Sequence, residues 1–588
     1  MTLKTGTCNV FETKSNVPRL AFLSNQPSMC VDSKNLTSDG RRRLQVLKDL
    51  ADPEHYYSKF STGNSKTLQT SDEVKLERIR GALLAFHKKH YQPENMTVVL
   101  AGPQSLDTLQ QWVVSRYSEI KQEDFLPNGE MTSLEKLIVD AAKDAPPYSF
   151  NEPEPAYDPA FKSSLQGSWP MLLTTKPLRS MRKLVMMFPM PSDRKFPDQS
   201  PYSIISHLLG HEGEGSAFAV LQNYGMLSSL SAGARTKAPD FSLFQVEMGL
   251  TEKGEKYWKD VVNLVFAYCR MIKDNAEMAK NGESNQLRRI WGEMSQLDKM
   301  FFHQTSPGGA YNYAPNLADR VVTYGTEACQ SAGSKLNEDQ TTFPLEKLIE
   351  ATQLLDPQNC IVERCSDAAW KEIEEAEGSA EAGFGKRTEQ WYGVEYHLSR
   401  IDPKAVTAWE GGKSSLDSSI KTSELSLPRP NRYIPRTLEL CPDLPEEAKQ
   451  GPRIEKPIDP PNLIVDDSDG RLFHRLDDRY ALPQSSLNFL IRNAAVQNIQ
   501  EGSEWQYDSN TTLLSSLLSG CFSEALAQET YDAELAGSYW SLSLGSSGIR
   551  LYSFGFSDRL PDLALKVLGK WTLFSDLPVT SFYAQPPL

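Results

Sequence analysis

Three glycines fall within six residues, Gly210, Gly213 and Gly215, between two apolar runs in the stretch SHLLGHEGEGSAFAVLQNYGMLSSLSAG, residues 206–233. No helix passes through such a cluster, because each interior glycine costs about 1 kcal/mol relative to alanine. The spacing therefore predicts a helix ending at Gly210, a tight turn, a second helix from about Ser216, and a strand from Leu227 to Gly233. His207 and His211 lie four apart, on one helix face, and Glu212 follows directly. Two readings compete here. The three could ligate a metal, or they could belong to the turn alone, with Glu212 favouring the start of the next helix. A zinc protease needs a glutamate base beside its histidine pair, and Leu208, Leu209 and Gly210 between the two supply none.

The bulk properties narrow the classes. At 588 residues one core is too few, and about three or four domains is the expectation. With 39% hydrophobic and 23% charged residues the chain can bury large cores. Its net charge of -14 argues against a general nucleic-acid grip, which needs a basic footprint. No apolar run reaches the roughly 18 residues of a membrane span. The first residues lack the apolar core of a secretory signal; they carry Lys, Thr and Ser with few acids, so a mitochondrial or other organelle address stays open beside a cytoplasmic one. Eight scattered cysteines without a C-x-x-C pair read as reduced thiols.

In chain order, Leu44, Leu47 and Leu50 give an amphipathic helix capped near Ser38 or Asp39. Residues 73–91 read as a helix, followed by a turn and a strand at Met96–Ala101. His87 and His90 sit at its end as solvated residues rather than ligands. Ser105–Ser118 is helical. Proline-rich sequence between about 122 and 166 is an exposed connection. Leu184–Phe188 reads as a strand that stops at Pro189 and Pro191. Phe244, Val246 and Met248 alternate as a strand, and Thr251 caps a long apolar-striped helix. Residues 285–302 are helical, SPGGAYNYAP with Tyr311 and Tyr313 is a loop, residues 343–355 form a helix and 359–364 a strand. Residues 403–460 read as a surface linker. Two short strands flank Asp477 and Asp478, with His474 structural. Residues 509–527 form a helix; Gly537, Gly545, Gly548 and Gly555 suit turns; a last helix spans 561–574. Strands followed by long helices make helix-on-sheet layers, hence α+β.

Several strings resemble one family. HLLGHEGEGSAFAVLQNYG is similar to the second-domain segment of insulysin-type enzymes, a branch of the inverted (H-x-x-E-H) zinc metallopeptidases of the pitrilysin/insulysin family. So are FSTGN at residues 60–64, TEQWYG at 388–393 and YDAELAG at 531–537. The resemblance covers about residues 35–575. It implies repeated layered α/β domains, with helices packed on mostly antiparallel sheets. The segments it implies are an unassigned stretch 1–34, the end of a first peptidase domain with its connection at 35–155, a second (middle) domain at 156–400, a linker at 401–460 and part of a third domain at 461–588. It also implies that the 206–233 stretch is a substrate exosite. His207, Gly210 and Glu212, with the strand Leu230, Ser231, Ala232 and Gly233, would hold the amino terminus of a peptide.

The family's zinc ligands do not carry over. None of the eight histidines belongs to an H-x-x-E-H string; the glutamate of the third ligand is missing where Val31, Asp32 and Ser33 stand, and Asp32, the acid that could substitute, has no histidine pair to complete. The resemblance thus implies a metalloendopeptidase that degrades peptides at full length, with a homo-oligomer implied by the family. For this chain it implies a central portion that binds no catalytic zinc and is inactive alone. Whether the chain is an enzyme is left open, and a non-catalytic peptide-binding or partner subunit is the alternative. A chain so divided is also expected to expose apolar surface.

Overall fold

The computed structural model describes residues 38–60, 81, 93, 96–120, 160, 161, 170–194, 196–238, 240–304, 309–336, 343–375, 384–411, 419–449, 457–468, 470–491, 509–545 and 548–575. His87, His90, Asp32, the rest of FSTGN after Phe60, most of the 122–166 connection and the chain end lie outside them. Along the chain come α1 (Asp39–Leu50), α2 (Leu106–Tyr117), β1 (Met171–Thr175), β2 (Arg182–Pro191), α3 (Pro201–Leu209), α4 (Ala217–Asn223), β3 (Leu227–Lys237), β4 (Phe241–Leu250), α5 (Glu252–Lys256), α6 (Trp258–Lys280), α7 (Gln286–Gln304), α8 (Ala310–Ala328) and α9 (Leu345–Gln353). There follow β5 (Ile361–Ser366), α10 (Asp367–Glu375), β6 (Gly385–Thr388), β7 (Glu395–Arg400), α11 (Pro403–Gly411), α12 (Glu446–Lys449), β8 (Asn462–Asp466), β9 (Arg471–His474), β10 (Gln484–Ile491), α13 (Ser509–Leu535), β11 (Tyr539–Gly545), β12 (Gly548–Phe556) and α14 (Leu560–Ser575).

The contacts divide the chain into two units, residues 1–181 with 363–400, and residues 182–362 with 401–588. The expected second domain, 156–400, contributes to both, and the boundary falls inside β5. In the first unit β1 pairs antiparallel with β7, and β7 with β6. A buried carboxylate is costly unless its oxygens are satisfied. Glu363, 1% exposed, receives the Arg43 guanidinium at 2.8 and 3.0 Å and the Thr175 hydroxyl at 2.9 Å. Asp39 of α1 accepts from the backbone N–H groups of Leu178 and Arg179, and Tyr396 donates to Asp49 at 2.6 Å.

In the second unit β3, β4 and β2 form an antiparallel ladder, with Leu184 opposite Met248, Met186 opposite Val246 and Phe188 opposite Phe244. These side chains are buried, and Phe266 of α6 meets Phe188 edge-on with ring centroids 6.0 Å apart. Each such side chain contributes about 1.5–3 kcal/mol by leaving water. A second antiparallel sheet, β10-β12-β11, packs with α13 and α14 around Phe522, Leu551, Phe556 and Val567. Helices on antiparallel sheets are the α+β plan expected.

Several local expectations are corrected. β2 does not stop at Pro189 but runs through it to Pro191, paired with Leu243 and Phe241. Proline lacks only its N–H; the carbonyl of Pro189 still accepts, from Asn359 Nδ2 at 3.0 Å. The SPGGAYNYAP loop is largely helix: Gly309 is the N-cap of α8, which carries Tyr311 and Tyr313. Residues 96–101 form no strand among the described residues, and Met96, Val98 and Leu100 are exposed. The two strands expected on either side of Asp477 and Asp478 are present as β9 and β10; β9 pairs with β8 and β10 with β12. Gly555 lies within β12 rather than at a turn, where a Cβ would come 2.8 Å from the Ser538 Cα. In the stretch read as a surface linker, α11 buries Trp409, and Tyr433 and Ile434 lie in the core under α13. Leu513, Leu514 and Leu517 of α13 are exposed. No helix among the described residues is long and apolar enough to cross a membrane.

Candidate peptide-binding site

α3 begins with Pro201 in its first turn, where a missing N–H costs nothing. It ends at Gly210, whose N–H donates to the Ser206 carbonyl at 2.9 Å. A Cβ at Gly210 would stand 2.9 Å from that oxygen and 3.6 Å from the Ala232 backbone nitrogen, so the glycine lets the helix end lie against β3. Gly215 then turns the chain at a φ of +81°, and its carbonyl accepts from the Ser426 N–H at 2.8 Å. Ser216 caps α4 by accepting from the Ala219 N–H at 3.0 Å. The capping role open to Glu212 is therefore filled by another residue. α4 closes on Gly225 with a φ of +68°, and Met226 N–H reaches back to the Leu221 carbonyl at 2.9 Å, a glycine-ended helix stop that launches β3.

β3 pairs with β4 through Leu230–Met248, Ser231–Glu247, Ala232–Val246 and Gly233–Gln245. Among the described residues no strand flanks its other side, so it is a sheet edge. Leu230 is buried, whereas Ser231, Ala232 and Gly233 are half-buried. Of the expected site residues, Gly210 thus lies against Ala232 of β3. Glu212 is half-buried and makes no ion pair among the described residues. Burial first, then Glu534 and Glu524, push its carboxyl above the usual range.

His207 and His211 are placed differently from what the local sequence suggests: α13 covers them. Tyr531 meets the His211 ring edge-on at 4.7 Å and donates to the Gly210 carbonyl at 3.3 Å. His211 Nδ1 accepts from the Gly213 N–H at 3.0 Å, which assigns the neutral ring's proton to Nε2, 3.6 Å from Asp532. His207 meets His211 at 5.7 Å; burial, then His211, lower its pKa to about 4. Gln222 and Gln528 link α4 to α13, at 2.8 Å between their side-chain amides. The local sequence gave no sign of Tyr531 and Asp532 as neighbours of this turn; their only signal was the YDAELAG string.

Among the described residues no three His, Cys, Asp or Glu side chains converge as metal ligands. With His211 Nδ1 taken up by a backbone N–H, and no H-x-x-E-H in the sequence, the described residues do not fit a catalytic zinc.

The TEQWYG string, in the first unit, makes a turn closed on itself. Both oxygens of Glu389 accept backbone N–H groups, from Trp391 at 2.6 Å and Tyr392 at 2.7 Å, and Gly393 takes a φ of +64°. Phe60 stacks on Trp391 with centroids 4.6 Å apart.

The described residues thus form helix-on-antiparallel-sheet units, with a helix-ending glycine set beside an edge strand. The description "Peptidase M16 inactive domain" matches residues 78–281, and "Middle or third domain of peptidase_M16" matches residues 302–582. The chain belongs to the peptidase M16 family. It is similar to the insulin-degrading enzyme of Homo sapiens, 27% identical over 92% of this chain and 45% of that protein. It is also similar to the peroxisomal insulin-degrading enzyme-like 1 of Arabidopsis thaliana, 25% identical over 93% of this chain and 48% of that protein. The crystal structure of pitrilysin shares its fold, with a TM-score of 0.64 at 20% identity over 92% of this chain and 49% of that one. The chain spans about half the length of the curated relatives it matches.

Proposed function

We propose that this chain is the peptide-holding portion of an insulysin-type zinc metalloendopeptidase, and that it grips the amino-terminal end of an extended peptide without cleaving it. The observation that carries the reading is the edge strand β3 lying against the turn that holds Glu212. An edge strand offers backbone N–H and C=O groups to one more strand. Ser231, Ala232 and Gly233 have small or absent side chains, so an incoming backbone can approach. Glu212 then meets the peptide's ammonium group, a charge-assisted hydrogen bond worth roughly 1.5–3 kcal/mol at best. His207 and Gly210 shape the turn from behind. Hydrolysis belongs to the H-x-x-E-H centre of the family, which this sequence does not contain, so zinc chemistry is assigned to no residue here.

A titration of the intact protein with a short extended peptide, carrying a free or an acetylated amino terminus, tests this. The free peptide should bind and acetylation should weaken it. Binding that is indifferent both to acetylation and to Glu212→Gln would remove the exosite assignment.

A further inference from the structure

We propose that the β3 edge selects peptides by charge as well as by backbone, with Arg235 taking a carboxylate carried within the first few residues of the bound peptide. This rests on the edge-pairing reading above and adds a specificity determinant to it. Ala234 pairs with Phe244 and Thr236 with Leu243, so Arg235 is the extra residue of a bulge and has no partner on β4. A bulge bends its strand and re-aims the side chain of the residue it leaves over. Here the Arg235 side chain turns back along its own strand, and its Nη2 donates to Ser231 Oγ at 2.9 Å. The guanidinium thus lies beside the residues offered for pairing, yet Arg235 remains exposed.

No carboxylate of the described residues pairs with it. The acid opposite Ser231 on β4, Glu247, is already engaged by the Lys183 ammonium at 2.6 Å. A guanidinium has five N–H donors in a planar fork, so the single bond to Ser231 leaves most of them for a carboxylate, which they match two at a time. Glu212, Glu524 and Glu534 make the neighbouring turn acidic, as their mutual effect on the Glu212 carboxyl shows. In the proposed reading Glu212, on the turn that follows Gly210, meets the ammonium group, and Arg235 on the edge meets a carboxylate. An arginine on a sheet edge can also serve as a guard against strand addition. The two roles differ in sign: a guard weakens every peptide, whereas a selector strengthens those with an acid.

The experiment uses the full chain and short, otherwise neutral peptides with a free amino terminus, bearing Glu, Gln or Lys in turn at residues two to five, read by fluorescence anisotropy. At one or more positions the Glu peptide should bind about five- to tenfold more tightly than its Gln counterpart. Arg235→Gln should abolish that preference, and Arg235→Glu should transfer it to the Lys peptide, each measured relative to the Gln peptide on the same variant. Equal binding of Glu and Gln peptides at every position overturns the proposal. So does a Glu preference that survives in Arg235→Glu, and so does a general gain in affinity in Arg235→Gln, which would make the residue a guard. The Gln peptide, free against acetylated, reports the amino-terminal grip of the proposed function without a carboxylate for Arg235. If it binds and acetylation weakens it while the Arg235 variants change nothing, only the charge selection is wrong; if no peptide binds, both readings fall.

Discussion

Two turns in this molecule look alike in sequence: GHEGEGS at 210–216, in the second unit, and EQWYG at 389–393, in the first. Each contains a glutamate and closes on a glycine of positive φ, Gly215 in one and Gly393 in the other. In the 389–393 turn the carboxylate is spent. Glu389 is 1% exposed, and each of its oxygens accepts a backbone N–H of its own turn. The 210–216 turn has two carboxylates: that of exposed Glu214 lies 3.4 Å from the Arg429 guanidinium, whereas that of Glu212 is held back. Ser216 caps the following helix, the Ser426 N–H meets the Gly215 carbonyl, and Glu212 is left half-buried and without an ion pair among the described residues. An acid beside a glycine is therefore no guide to a binding site by itself. What distinguishes the two is whether the local backbone has already used the acid.

The sharpest way to break the contrast is Glu389→Ala. It leaves two backbone N–H groups without their charged acceptor, at a cost of about 3 kcal/mol, and should lower the denaturation midpoint while leaving peptide affinity unchanged. Next comes Gly215→Ala. Its Cβ would stand 2.0 Å from Ser426 Oγ on a backbone of positive φ, so a loss of about 2 kcal/mol is expected. In a Ser426→Gly background the steric part should vanish and about 1 kcal/mol of backbone strain remain, read by the same denaturation curve.

Glu212→Gln should do the reverse of Glu389→Ala. Burial disfavours the charged form of Glu212 in the folded protein, so the variant should keep or slightly gain stability. It should bind a free-amine peptide up to about tenfold more weakly and lose its sensitivity to acetylation. A loss of stability as large as that of Glu389→Ala would erase the distinction between the turns. The smallest effect concerns pH. The His207 pKa is lowered from 6.5 to about 4, so the unfolded chain binds the proton more readily. Stability from this group is full above about 6.5 and declines as pH falls toward about 4, by on the order of 1 kcal/mol given its partial exposure. His207→Gln should flatten that part of a stability–pH profile.

Much of the site was readable in the residues because its signals are local. Pro201, Gly210, Ser216 and Gly225 start and stop helices through the backbone of their own neighbours, so α3, the turn, α4 and the start of β3 follow from spacing alone. α8 went the other way, since Gly309 and Pro315, which read as loop residues, stand at the cap and inside a helix. Pro189 misled for a related reason, because a strand can keep a proline when its carbonyl still has a donor.

The sequence by itself determined the turn, the helices that frame it, the α+β plan and the lack of an H-x-x-E-H string, since each depends on residues near in the chain or on composition. Only the tertiary structure decided that β3 is an edge among the described residues, that Tyr531 and Asp532 close over His211 from more than three hundred residues away, and that Glu212 has no ion pair among the described residues while both oxygens of Glu389 are engaged. The pairing of strands and the satisfaction of a carboxylate depend on groups far apart in sequence, which a one-dimensional pattern cannot bring together.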